Sequence, residues 1–144
     1  DLDGFKAIND GFGHQAGDEV LREVACRLRD VTRGVDTVAR IGGDEFVVLL
    51  TGVADRTVAE RVADELVTSI RRPIALPNGP CTIGVSVGIG VFPADGADVE
   101  ALLASADHAM YSAKRAGGNR PQAAPMLLAT AGDAPTRCAG SPAP

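Results

Sequence analysis

The stretch TVARIGGDEFVVLL, residues 37–50, decides how the chain is read. Two β-rich runs, Thr37 to Ile41 and Phe46 to Leu50, flank Gly42, Gly43, Asp44 and Glu45. Apolar runs of this length around a short glycine-containing loop predict a β-hairpin whose turn displays two carboxylates. The paired glycines exceed what a hairpin requires. A turn needs a residue that tolerates positive φ, whereas two glycines together also remove the Cβ atoms that would keep a ligand off the main chain.

Upstream of the hairpin, Val20, Leu21, Val24, Ala25, Leu28 and Val31 recur at helical spacing. Glu19, Arg22, Glu23, Arg27 and Asp30 fall on other faces, so an amphipathic helix is predicted over 15–32. Downstream, Val58, Ala59, Val62, Ala63, Leu66, Val67 and Ile70 predict a second helix from Arg56 to Arg71, with Pro73 beyond its end. Pro77 to Pro80 read as a turn. From Thr82 to Phe92 the chain alternates, with Ile83, Val85, Val87, Ile89 and Val91 on one face and Gly84, Ser86, Gly88 and Gly90 on the other. That pattern predicts one long strand whose small face lets another element approach its backbone. Asp98 is placed to N-cap a third helix through Val99, Leu102, Leu103, Ala106, Met110 and Ala113, and Gly117 to stop it. Helix, hairpin, helix, strand and helix in that order predict an α+β sandwich, a mostly antiparallel sheet flanked by helices. Residues 121–144 hold five prolines, seven alanines and two charged residues, which predicts a disordered tail after a domain at 1–120.

A chain of 144 residues, 45% hydrophobic and 23% charged, suits one globular domain with a single core. A net charge of −5 and a pI near 4.9 argue against binding to nucleic-acid backbone, and 3% aromatics against a stacking platform for single strands. The three cysteines, Cys26, Cys81 and Cys138, show no metal-ligand spacing and read as reduced, with Cys26 and Cys81 inside apolar segments. No apolar run has membrane-spanning length and no signal peptide opens the chain, which predicts a cytoplasmic domain, with any membrane anchor in upstream sequence.

Polar clusters fall at three places, 1–18, 42–46 and 111–119, where element ends are expected to present them. A divalent cation beside a triphosphate takes hard oxygen ligands, and Asp1, Asp3, Asp44 and Glu45 are the candidates.

Taken together, the segments DLDGFKAINDGFGHQAGD at 1–18, RGVD at 33–36, GGDEF at 42–46 and AKRAG at 113–117 resemble the motifs of the GGDEF family of diguanylate cyclases. The resemblance covers residues 1 to 120. It implies a nucleotidyl-cyclase-like sandwich that condenses two GTP into cyclic di-GMP plus pyrophosphate. By the same resemblance Asp1, Asp44 and the Leu2 carbonyl bind Mg²⁺ or Mn²⁺, and Glu45 is a second acidic group needed for activity. Either Asp44 or Glu45 assists loss of the attacking hydroxyl's proton. Gly42 and Gly43 admit the nucleotide, Lys6 and Lys114 contact the triphosphate, and Asn9 and Asp18 read guanine. Read from the residues alone, Asn9 makes a turn and Asp18 caps the helix that follows. Those two lysines are the only ones beside twelve arginines, so they look placed for a purpose. Arg33 and Asp36 match the family's RxxD site, where cyclic di-GMP inhibits. The resemblance also implies a homodimer, one GTP per domain, and an upstream sensory or regulatory domain.

Two departures qualify it. The family's first strand and covering helices precede its first motif and are missing before Asp1, so the chain alone is expected to be inactive and poorly folded. Gly118 stands where the family carries an arginine, and the closing strand reads as replaced by the tail. The rival expectation is a catalytically inactive GGDEF module that senses cyclic di-GMP or GTP.

Overall fold

The computed structural model describes residues 1–53 and 55–125. In chain order its elements are β1 (Leu2–Asp3), α1 (Phe5–Phe12), α2 (His14–Val31), β2 (Thr37–Gly42), β3 (Glu45–Leu49), α3 (Arg56–Ile70), β4 (Gly84–Val85), β5 (Val87–Ile89), α4 (Val99–Arg115) and β6 (Pro121–Ala123). β1 pairs with β4 and β2 with β3, both antiparallel, while β5 and β6 run parallel. The α+β class with mostly antiparallel pairing is the expected one. None of the described helices is long and apolar enough to cross a membrane.

The core forms where α2 lies on α3. Val20 and Val24 are wholly buried and Leu28 nearly so, packed with Leu66, Val67 and Ile70 of α3, with Leu2 and Ile8, and with Val85 of β4. Each such side chain contributes roughly 1.5–3 kcal/mol on burial. Asp98 caps α4 as its sequence suggests, its carboxylate accepting from Ala101 N at 2.8 Å. The small face predicted along Thr82–Phe92 is where α4 rests, since a Cβ on Gly88 would run into the Ala106 carbonyl and the Met110 backbone. The parallel β5 and β6 are joined by α4, the crossover that parallel pairing demands.

Five expectations are corrected. The single strand Thr82–Phe92 is two short ones, because the chain changes partner at Ser86: β4 pairs with β1, β5 with β6. Beyond β5, the Val91 N–H is taken by the buried Asp95 carboxylate (2.8 Å), which ends the ladder. Residues 5–12 are helical although Asn9, Asp10 and Gly11 favour a turn, since Phe5 and Ile8 face the core and packing outweighs weak propensity. Asn9 and Asp18 therefore lie inside helices, and neither makes a turn or a cap; Gly13 stands before α2. The predicted tail begins with an ordered strand, so the closing strand is present at 121–123; Pro121 takes the first strand position, where its missing N–H is tolerated. The rest of that tail, 126–144 with Cys138, lies outside the described residues. Cys26 is exposed on α2, not within its apolar face, whereas Cys81 is buried.

The fifth correction is Arg27. It is 6% exposed and donates to four main-chain carbonyls at the end of α3: Ser69 (3.1 Å), Ile70 (3.0 Å), Arg72 (2.5 Å) and Pro73 (2.9 Å). The last carbonyls of a helix have no intrahelical donor, and a cation there also opposes the negative end of the helix dipole. Glu23 accepts from Arg27 Nε at 2.8 Å on the solvent side. Arg27→Ala should therefore lower the unfolding free energy by about 2–4 kcal/mol, since it leaves buried carbonyls unpaired, and Glu23→Ala by under about 1 kcal/mol. Denaturant unfolding of the two variants checks the ratio; equal, small losses would mean that Arg27 is not the tie between α2 and α3.

Candidate active site

Leu2 organises the site. It is 2% exposed, pairs with Val85, and its N–H donates to the Asp44 carbonyl at 3.2 Å, so β1 touches both β4 and the hairpin turn. Side chains alternate along a strand, so burying Leu2 sends Asp1 and Asp3 to the opposite face. There Asp1 accepts from Lys114 Nζ at 2.5 Å, from the last turn of α4. The first, second and third polar clusters are thus joined by one main-chain hydrogen bond and one ion pair.

Asp3 is not free for a ligand. Ser86 Oγ donates to its carboxylate at 2.9 and 3.0 Å and Asn119 N at 2.7 Å, which ties β1 to the junction between β4 and β5 and to the turn after α4. That turn runs through Gly117, Gly118 and Asn119, all at positive φ. A Cβ on Gly118 would sit 3.1 Å from Asp3 Oδ2, so a larger residue there meets both the backbone conformation and the carboxylate. Among the described residues the Oδ1 of Asn119 is buried and has no hydrogen-bond partner.

In the hairpin, Gly42 pairs with Glu45, and Gly43 and Asp44 form the loop, Gly43 at φ +48°. A Cβ on Gly42 or Gly43 would meet nothing within 4 Å. Packing therefore requires neither glycine, and Gly42 is not required by its φ either. Arg40 Nε donates to the Gly43 carbonyl at 2.8 Å.

Lys6 is exposed on α1 and makes no hydrogen bond or ion pair among the described residues. Asn9 packs on Gly17, where a Cβ would collide with its Oδ1, and so lies beside the first turns of α2 that carry Asp18. Asp18 lines a cavity of about 290 Å³ between α2 and the hairpin, with Leu21, Arg22, Val38, Arg40 and Phe46 also on its walls.

Among the described residues no group of three His, Cys, Asp or Glu side chains converges to hold a metal ion. Asp1, the Leu2 carbonyl and Asp44 are hard oxygen donors on segments that the hydrogen bond from Leu2 N to the Asp44 carbonyl brings together. That set fits a hard cation whose remaining ligands are phosphate and water.

A sequence model described as diguanylate cyclase, GGDEF domain, matches residues 1–120. The chain belongs to the GGDEF family. Diguanylate cyclase TpbB of Pseudomonas aeruginosa is 47% identical over 122 residues, 83% of this chain and 28% of that protein. The bifunctional diguanylate cyclase/cyclic di-GMP phosphodiesterase MucR of the same species is 45% identical over 119 residues, 83% of this chain and 17% of that protein. The chain thus spans under a third of the length of these relatives. Among solved structures, the GGDEF domain of TpbB aligns with a TM-score of 0.84 at 43% identity, covering 88% of this chain and 79% of that one. The GGDEF domain of DgcB from Caulobacter crescentus, in complex with c-di-GMP, aligns at 0.72 and 31% identity, covering 86% and 74%.

This GGDEF domain places Arg33 and Asp36 apart from the cluster just described, at the entry to the hairpin. Arg33 Nη2 meets Asp36 Oδ1 at 3.0 Å and Thr51 O at 2.7 Å, and Thr51 N donates to Asp36 Oδ1 at 3.1 Å. The Asp36 side chain is 1% exposed and that of Arg33 59%, so the guanidinium is open to solvent above a sequestered carboxylate. The Arg33 side chain first, then the Arg33 and Thr51 N–H groups, hold the Asp36 carboxyl down to about 2 from an ordinary 3.8.

Sequence reading missed Ser86, Asn119 and Arg40. Ser86 carried a signal, as the one hydroxyl in a face otherwise of glycines, while Asn119 and Arg40 act through main-chain contacts that no pattern announces.

Because the Asp36 pKa is depressed on folding, its contribution to stability is complete above about pH 4 and is lost as pH falls through about 2. A carboxyl ¹³C titration should show Asp36 with a midpoint near 2, moving up towards 3.8 in Arg33→Ala. A wild-type midpoint already near 3.8 would refute the anchoring.

Proposed function

We propose that this domain, in the protein that carries it, condenses two GTP into cyclic di-GMP with release of two pyrophosphates. The reading is carried by the convergence at Leu2, where the Asp44 carbonyl, the Asp1 carboxylate and Lys114 come together. Family membership and the relatives named diguanylate cyclase support it.

Asp1, Asp44 and the Leu2 carbonyl would hold Mg²⁺ or Mn²⁺, which when bound polarises the α-phosphate and stabilises departing pyrophosphate. Lys114, paired with Asp1 in the free domain, turns to the triphosphate together with the exposed Lys6. Gly42 and Gly43 leave the turn bare so that phosphates reach its backbone. Asn9 and Asp18 select guanine, the Asp18 carboxylate accepting from N1–H and the N2 amino group, a pair of donors that adenine lacks in that arrangement. Each domain holds one GTP. In a homodimer, each ribose 3′ oxygen forms a bond to the partner nucleotide's α-phosphorus as the α–β anhydride bond breaks, and Asp44 or Glu45 takes the hydroxyl proton. Arg33 and Asp36 receive cyclic di-GMP as an inhibitor, the guanidinium offering its fork to a phosphate or guanine edge. A regulatory domain elsewhere in the protein sets dimer geometry, and the need for GTP places the domain in the cytoplasm.

Gly118 favours a second reading. With glycine where the family has arginine, the phosphate clamp is lighter, and a module that only binds cyclic di-GMP through Arg33 and Asp36 would share every other feature.

With GTP and Mg²⁺ the wild-type protein should form cyclic di-GMP, and ATP should yield no cyclic product. Asp44→Ala and Glu45→Ala should each lower turnover at least about a hundredfold, the scale of losing transition-state charge stabilisation. Full activity in either variant would sink the assignment. Calorimetry should show Arg33→Ala weakening cyclic di-GMP binding about tenfold, the value of one charge-assisted hydrogen bond. Product binding without any turnover in the wild type would establish the sensor reading instead.

A further inference from the structure

The two peptide groups on either side of the Asp44 Cα each have their carbonyl held by a hydrogen bond outside the hairpin ladder. From β1, Leu2 N–H donates to the Asp44 carbonyl at 3.2 Å; from within the hairpin, Arg40 Nε donates to the Gly43 carbonyl at 2.8 Å. Peptide groups are planar, so orienting both planes sets φ and ψ of Asp44 and with them the direction of its Cα–Cβ bond. Side-chain packing does not share this task, because positions 42 and 43 carry no Cβ and have no neighbour within 4 Å where one would be.

Arg40 reaches Gly43 because the ladder is irregular there. The register shifts between Arg40 and Gly42, so Ile41 is the extra residue of a bulge, a device that bends a strand and re-aims a side chain. Arg40 lies opposite Phe46 in the ladder and lines the same cavity as Asp18. It is exposed, so no buried charge had to be satisfied, and water would serve the Gly43 carbonyl equally well if its orientation were immaterial.

We propose that Arg40 is a positioning residue: by holding the Gly43 carbonyl it aims the Asp44 carboxylate at the divalent cation. This rests on the function proposed above. The Nε donor sits within a rigid planar guanidinium, whereas a lysine offers one rotating ammonium on a flexible stem, so Arg40→Lys keeps the charge and loses the geometry.

The test compares wild type, Arg40→Ala, Arg40→Lys and, as a charge control on the exposed side of α3, Arg61→Ala, all in the full protein. Mn²⁺ affinity is read by electron paramagnetic resonance with a non-hydrolysable GTP analogue, which requires no turnover. Backbone ¹⁵N relaxation of Asp44 and Glu45 in the metal-free protein reads the order of the turn. Both Arg40 variants should bind Mn²⁺ about tenfold more weakly, the scale of one charge-assisted hydrogen bond, with a more mobile turn and an unchanged melting temperature. Arg61→Ala should match wild type in all three. Wild-type Mn²⁺ affinity in Arg40→Lys, or weaker binding that only tracks a lowered melting temperature, would overturn the role of Arg40. A wild type that binds neither Mn²⁺ nor the analogue would overturn the function of the site, and turn order that still depends on Arg40 would distinguish that failure from the other.

Discussion

Burial of Leu2 is the constraint on which the arrangement depends. A strand of two residues has few hydrogen bonds to hold it, and its position comes from one apolar side chain sunk into the core between β4 and the hairpin. Once that side chain is inside, alternation leaves Asp1 and Asp3 no choice of face. Ser86, Lys114 and Asn119 then meet them from the junction between β4 and β5 and from the end of α4. Apolar burial, which has no direction of its own, is converted by strand geometry into directed polar contacts.

The two charged sites share an electrostatic design. Asp1 with Lys114, and Asp36 with Arg33, are acid–base pairs within one domain, so at each site one cation is already matched by a carboxylate. A phosphate arriving at either must compete with a carboxylate for the cation. The helices are tied by a different device: Arg27 carries a full charge into the interior, tolerated because main-chain carbonyls and Glu23 surround it.

Much of this was legible without coordinates. Helices α2, α3 and α4 announce themselves through apolar spacing and, for α4, through Asp98; the hairpin does so through Gly42 and Gly43. Local signals of this kind succeed where the residues that make an element also stabilise it. They failed at α1, whose Asn9, Asp10 and Gly11 would not be helical without Phe5 and Ile8 anchored in the core, and at β6, where Pro121 to Ala123 are strand only because β5 offers them an edge. They failed again at Arg27, which helical periodicity assigns to solvent and which the end of α3 draws inward.

The sequence by itself determined the family and the fold class, because motifs and periodicities are local. Only the tertiary structure decided which carboxylates are spent and which are offered. Asp1 and Asp3 are two residues apart, alike in chemistry and on the same face, yet Asp3 is committed to Ser86 and Asn119 while Asp1 faces a lysine. Nothing in their spacing distinguishes them. The difference arises from partners 83 to 116 residues away, brought close by packing.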